Sequence, residues 1–88
     1  MEHKEEKIEA LFQLLLSLKT KEDCKALFAD MCTRREVENM AERLYAAKLL
    51  MEGKTYTQVI AQADISSATL SRISQCVQYG SGYSKFLK

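Results

Sequence analysis

The sequence predicts an all-α protein, and three observations carry that expectation. Proline is absent and glycine occurs only at Gly53, Gly80 and Gly82, so long helices meet few breakers. Thr20 with Asp23, Thr33 with Glu36 and Thr55 with Gln58 have capping-box spacing, in which a hydroxyl takes an orphan helix N–H and the third residue reaches back; Thr33 with Glu36 is the best of the three. Apolar residues recur at helical rather than alternating spacing, and nothing reads as a strand. At 88 residues the chain is long enough for one domain, here a helical bundle, and too short for two.

The punctuation divides the chain into helices near 3–18, 21–30, 34–52, 56–62 and 67–78, with room for a short one after Ser81. In the first, Ile8, Leu11, Phe12, Leu15 and Leu18 keep helical spacing, while Leu14 and Leu16 widen the apolar stripe beyond what one partner covers. Such a helix is either central within a monomer or shared between two subunits. So small a chain has few helices to cover it, which favours sharing and assigns residues 1–52 to dimerisation. The third helix carries Val37, Met40, Ala41, Leu44, Ala47 and Met51 along one side, and Gly53 stands where a left-handed C-terminal cap belongs.

Composition excludes several classes. Hydrophobic residues at 47% and charged residues at 28% describe a soluble globular chain. The run "IEALFQLLLSL" holds Glu9 and Gln13 and is far shorter than the ~20 residues needed to cross a bilayer, so no membrane span is expected. Cys24, Cys32 and Cys76 form no CxxC pair and His3 is the single histidine, which leaves no metal spacing. Three unpaired thiols without a signal segment point to a reducing cytoplasm. With its one imidazole at the terminus, the chain offers no nucleophile-and-base pair, and no enzyme is expected. "YGSGYSK" lacks the third glycine of a dinucleotide fingerprint and reads as a mobile connection, residues 79–88 forming a C-terminal segment.

Charge divides the chain unevenly. Residues 1–52 carry nine Lys or Arg against eleven Asp or Glu, whereas residues 53–88 carry Lys54, Arg72, Lys85 and Lys88 against Asp64 alone. The C-terminal half therefore favours an anionic partner. Within it, "TYTQVIAQADISSATLSRISQCVQ" (55–78) reads as a helix, a tight turn and a longer helix. Val59, Ile60 and Ala63 face inward from the first, and Leu70, Ile73 and Val77 from the second. Ile65 precedes the serine cap and packs back as a staple. Asp64 stands where many helix-turn-helix sequences place glycine, and Asp tolerates a left-handed turn.

At 100° per residue, the outward arc of the second helix holds Ser67, Ala68, Ser71, Arg72 and Gln75. No carboxylate occurs from Ser66 to Lys88, unlike the Glu- and Lys-rich first and third helices. Small hydrogen-bonding side chains with one arginine suit a surface that approaches phosphates and enters a major groove of double-stranded DNA. The other reading is a helical dimerisation or protein-interaction module whose helix pair only packs.

The stretch "MCTRREVENMAERLYAAKLLMEGKTYTQVIAQADISSATLSRI" resembles the Trp repressor family, particularly its Trp-repressor-like members in Firmicutes; the likeness covers about Asp30 to Leu87. The resemblance implies an intertwined homodimer presenting two helix-turn-helix units to successive major grooves of a palindromic operator, with half-sites ~34 Å apart. It places Gln58 at a DNA-contacting position, and Lys54 and Thr57 are then phosphate contacts near the start of the same helix. The function implied is that of a cytoplasmic transcriptional repressor. The family's tryptophan corepressor site maps onto Thr33, Arg43, Thr69 and Arg72. Two further positions depart: Ile73 replaces a glycine that leaves room for the indole, and Cys76 replaces a serine. Ile73 is expected to fill that space, so no tryptophan and no cofactor is expected. Arg43 is then a surface or interhelical ion-pair residue, and Arg72 a phosphate or base contact.

Overall fold

The structure is a computed structural model that describes residues 3–87; Lys88, counted above among the C-terminal cations, lies outside them. Six helices follow one another: α1 (Lys4–Leu16), α2 (Lys21–Met31), α3 (Arg34–Met51), α4 (Tyr56–Gln62), α5 (Ser67–Tyr79) and α6 (Gly82–Phe86). No strand occurs among the described residues. The chain forms two compact units that divide between Thr33 and Arg34.

The N-terminal unit holds α1 and α2. Glu5 and Glu6 in the first turn of α1 complement the positive end of its dipole. The helix stops two residues short of the expected 18, where Ser17 Oγ donates to the Leu14 carbonyl at 2.6 Å. At α2, Thr20 Oγ1 accepts from Asp23 N at 3.0 Å, as the spacing predicts. The return arm reaches one residue further back: Asp23 Oδ2 accepts from Lys19 N at 3.0 Å. That Lys19 N–H, followed by the hydrogen bonds of Thr20, holds the Asp23 carboxyl below the usual carboxylate range. Neither helix contains a buried residue, and Ile8, Leu11, Phe12, Leu14 and Leu16 are all exposed.

The C-terminal unit has a core. Ala46, Ala47 and Leu49 of α3, Val59 of α4, Ala63, and Leu70 and Ile73 of α5 form one buried cluster. Leu50, Ile65, Val77, Tyr83 and Leu87 pack against it. The small Ala46 and Ala47 let the α3 backbone approach its neighbours closely, while Leu70 and Val59 supply the bulk. This corrects the expected face of α3. Met40, Leu44 and Met51 are exposed, and of the predicted stripe only Ala47 is buried. The helix has apolar residues on more than one side, and α4 and α5 pack on the side carrying alanines.

Gly53 ends α3 as predicted, with φ +91°. Its N–H meets the Leu50 carbonyl at 3.0 Å and the Lys54 N–H meets that of Leu49 at 3.1 Å, the paired bonds of a Schellman cap. The α4 box closes in both directions. Gln58 N donates to Thr55 Oγ1 at 3.2 Å and Thr55 N to Gln58 Oε1 at 2.8 Å. Ile60, expected inside, is exposed, since seven residues give α4 two turns and Val59 and Ala63 alone meet the core.

The turn between α4 and α5 is also built differently from expectation. No residue other than glycine has a positive φ among the described residues, so Asp64 is not left-handed. Instead Ile65 N donates to the Ala63 carbonyl at 3.1 Å, closing a three-residue turn of the inverse γ kind around Asp64. After α5 the chain reverses at Gly80, where an added Cβ would stand 2.7 Å from the Cys76 carbonyl oxygen. The expected mobile connection instead holds α6, and Tyr83 of that helix and Leu87 just after it pack against the core.

Candidate nucleic-acid interface

The candidate surface is organised by the start of α5. Ser66 caps it, its Oγ accepting from Thr69 N at 3.1 Å and donating to Thr69 Oγ1 at 3.0 Å. Leu70, Ile73 and Ser74 then fix the inner side at 0%, 3% and 4% exposure, which settles the rotation of the helix. The buried hydroxyl of Ser74 accepts from Gln78 Nε2 at 3.2 Å and so is not left orphaned. Every residue of the predicted outward arc, Ser67, Ala68, Ser71, Arg72 and Gln75, is exposed.

The first turn of α5 contains no acidic residue, so no carboxylate there offsets the positive end of its dipole. Among the described residues Arg72 has no carboxylate within ion-pair distance. Lys54, Thr57 and Gln58 are exposed around the start of α4. The Gln58 carbonyl oxygen is committed to the cap, which leaves its NH2 as a fixed donor. Chemically, the two helices offer donors, one guanidinium and helix-terminal amides, a set matched to phosphate oxygens and base edges.

Five of the six residues mapped from the family's ligand site also come together. Arg43, Thr69, Arg72, Ile73 and Cys76, with Ala68 and Tyr83, line a concavity of about 440 Å³. The sixth, Thr33, belongs to the N-terminal unit. Ile73 is almost wholly within the core cluster and forms part of the wall of this concavity. Arg43 shows no ion pair among the described residues and instead borders this concavity. Among the described residues no three His, Cys, Asp or Glu side chains gather as a metal site requires, and no helix is long and apolar enough to cross a membrane.

Sequence reasoning missed Tyr83, hidden behind a two-glycine stretch read as a connection. It also missed two ties from α3. Glu42 Oε1 accepts from Asp64 N at 3.0 Å, and Tyr45 OH donates to Gln62 Oε1 at 3.3 Å. Their only sequence signal is a three-residue separation, which places both side chains on one side of α3.

The architecture is that of a small all-α protein in which a capped, carboxylate-free helix is held outward on a helical core. The chain belongs to the Trp repressor family: the model of the Trp repressor protein matches residues 6–88. It is 41% identical over 73 residues to the uncharacterized protein YerC of Bacillus subtilis, covering 83% of this chain and 70% of YerC. Among solved structures, a candidate Trp repressor of Staphylococcus aureus superposes with a TM-score of 0.86 at 31% identity, covering 99% of this chain and 91% of that one. A TrpR-like protein of Eubacterium eligens gives 0.85 at 35% identity, with 96% and 88% covered.

Proposed function

We propose that the protein is a sequence-specific DNA-binding transcriptional regulator, a repressor that acts as a cytoplasmic homodimer on a palindromic operator. The observation that carries this reading is the exposed arc of α5, whose rotation is fixed by Leu70, Ile73 and Ser74 on its inner side. Ser67, Ala68, Ser71 and Gln75 read base edges, Arg72 contacts a guanine or a phosphate, and Lys54, Thr57 and Gln58 anchor the backbone. Repression follows from occupying DNA that polymerase needs and requires no chemistry. Family membership and the two structural likenesses support the reading.

The homodimer rests on the N-terminal unit. Phe12 is 54% exposed and Leu16 79%, too much apolar surface to leave in water on a helix without a buried residue. A second copy of the same chain covers it and sets the two reading helices one DNA turn apart. For DNA fragments selected by the wild type, Arg72→Ala and Gln75→Ala are each expected to weaken binding about tenfold without unfolding the protein. Undiminished affinity in both variants refutes the assignment of α5.

The concavity favours a second reading of how binding is controlled. A small anionic molecule held between Arg43 and Arg72 would alter how α5 is presented. Tryptophan is not the expected ligand: Ile73 stands where the family pattern has glycine, and Cys76 is a poorer acceptor than the serine it replaces. Calorimetric titration with L-tryptophan is expected to give no saturable heat, and a micromolar site would reverse this expectation.

A further inference from the structure

We infer that Glu42 is a positioning residue for the reading helix, acting through the turn that precedes it; the inference rests on the DNA-reading function proposed above. The turn leaves one backbone donor to be satisfied. Ala63 N is taken by the Val59 carbonyl and Ile65 N by the Ala63 carbonyl. Asp64 N, between them, has no backbone partner in that set and donates instead to Glu42 Oε1 at 3.0 Å, across 22 positions of sequence. An inverse γ-turn is closed by one short-range bond, so by itself it fixes the path of three residues and not their placement against another helix. The carboxylate of a long helix supplies that placement.

A second tie reinforces the first. Tyr45, three residues along α3, donates its hydroxyl to Gln62 Oε1 at 3.3 Å. Gln62 and Asp64 flank Ala63, which is buried in the core cluster at 5% exposure. The end of α4 and the turn are thus held at two points on one side of α3, with an apolar anchor between them. Ile65 and the Ser66 cap follow at once, so the direction in which α5 leaves the core is set within two residues of the Glu42 bond. Glu42 itself lies outside the exposed arc of α5 and touches none of its outward side chains in any hydrogen bond or ion pair.

The sign of the effect separates positioning from charge. A carboxylate near DNA repels phosphates, so its removal for electrostatic reasons alone raises affinity for every DNA. Loss of a positioning bond lowers affinity for the selected sequence only. The test compares wild type, Glu42→Ala and Glu42→Gln on DNA fragments that the wild type selects from a random pool, on unselected DNA, and by amide exchange at Asp64. Glu42→Gln keeps an acceptor oxygen and is expected to retain both slow exchange at Asp64 and affinity within about twofold. Glu42→Ala is expected to lose that protection and about tenfold in affinity for the selected fragment, as befits one hydrogen bond to a charged acceptor. Its affinity for unselected DNA and its salt dependence hold steady or rise.

Three results overturn the inference. Equal affinity of wild type and Glu42→Ala for a fragment that the wild type does select removes the role of Glu42 and leaves DNA reading intact. A Glu42→Ala protein that no longer folds makes the residue merely structural. A wild type that selects no fragment refutes DNA reading, and the positioning role with it.

Discussion

The two units of the chain solve the same physical problem in opposite ways. From Arg34 onward, three elements converge on Leu70 and Val59, both fully buried, and the N-termini of α4 and α5 are closed by the side chains of Thr55 and Ser66. Before Arg34, α1 and α2 are helical yet contain no buried residue, and Ile8, Leu11, Phe12, Leu14 and Leu16 of α1 stand exposed. Secondary structure in the first unit is thus a matter of local signals, and in the second of local signals and tertiary packing together. A helix in water gains most of its stability from packing an apolar face, and neither α1 nor α2 has a buried residue through which to do so.

The largest effect that sharpens this contrast is expected inside the C-terminal core. Leu70→Ala leaves a void between α3 and α5 and should cost about 2–5 kcal/mol, read by urea denaturation at any protein concentration. Phe12→Asp should act differently, with little change in the C-terminal unit but dissociation to monomer at micromolar concentration in analytical ultracentrifugation. If Phe12→Asp sediments as wild type does, the apolar face of α1 is not an interface. Gly80→Ala comes next, at about 1–3 kcal/mol, because the new Cβ meets backbone at 2.7 Å and the Cys76 carbonyl cannot yield without opening α5. A thermal melt checks it, and a neutral outcome means the α5–α6 reversal is laxer than drawn.

The smallest effect lies at the α2 cap. The folded Asp23 carboxyl is held below its ordinary value, chiefly by the Lys19 N–H. A group depressed in the folded state contributes stability above its unfolded pKa and loses it as pH falls through the folded one. NMR titration should show the Lys19 and Asp23 amides shifting together only on the acid side of the ordinary carboxylate range, and not in Asp23→Asn. A midpoint at or above that range contradicts the cap as described.

Local chemistry made much of this legible in the sequence. Thr20, Thr55 and Gly53 do what their spacing announces, because a cap depends on residues within one turn of it. The inner stripe of α5 was equally readable, since Leu70, Ile73 and Val77 leave a single apolar side to choose. On α3 the pattern offered more than one side, and the choice fell to alanines whose merit is close approach rather than hydrophobic mass. Asp64 departs from expectation because standing in glycine's usual place does not by itself demand a positive φ. This turn meets its need through Glu42, 22 residues away, and no local pattern encodes such a bond. The candidate positions on α5 follow from rotation and charge and Gln58 from the family resemblance, whereas Tyr83 enters the concavity only because α6 follows Gly80.

DNA reading by the outward arc of α5 is tested by the affinity of the wild type for the fragments it selects, followed across salt concentration. Log K is expected to fall linearly with log salt, with a preference over unselected DNA of about 10³ or more that persists as salt rises. Affinity indifferent to salt, or equal for selected and unselected fragments, would contradict it.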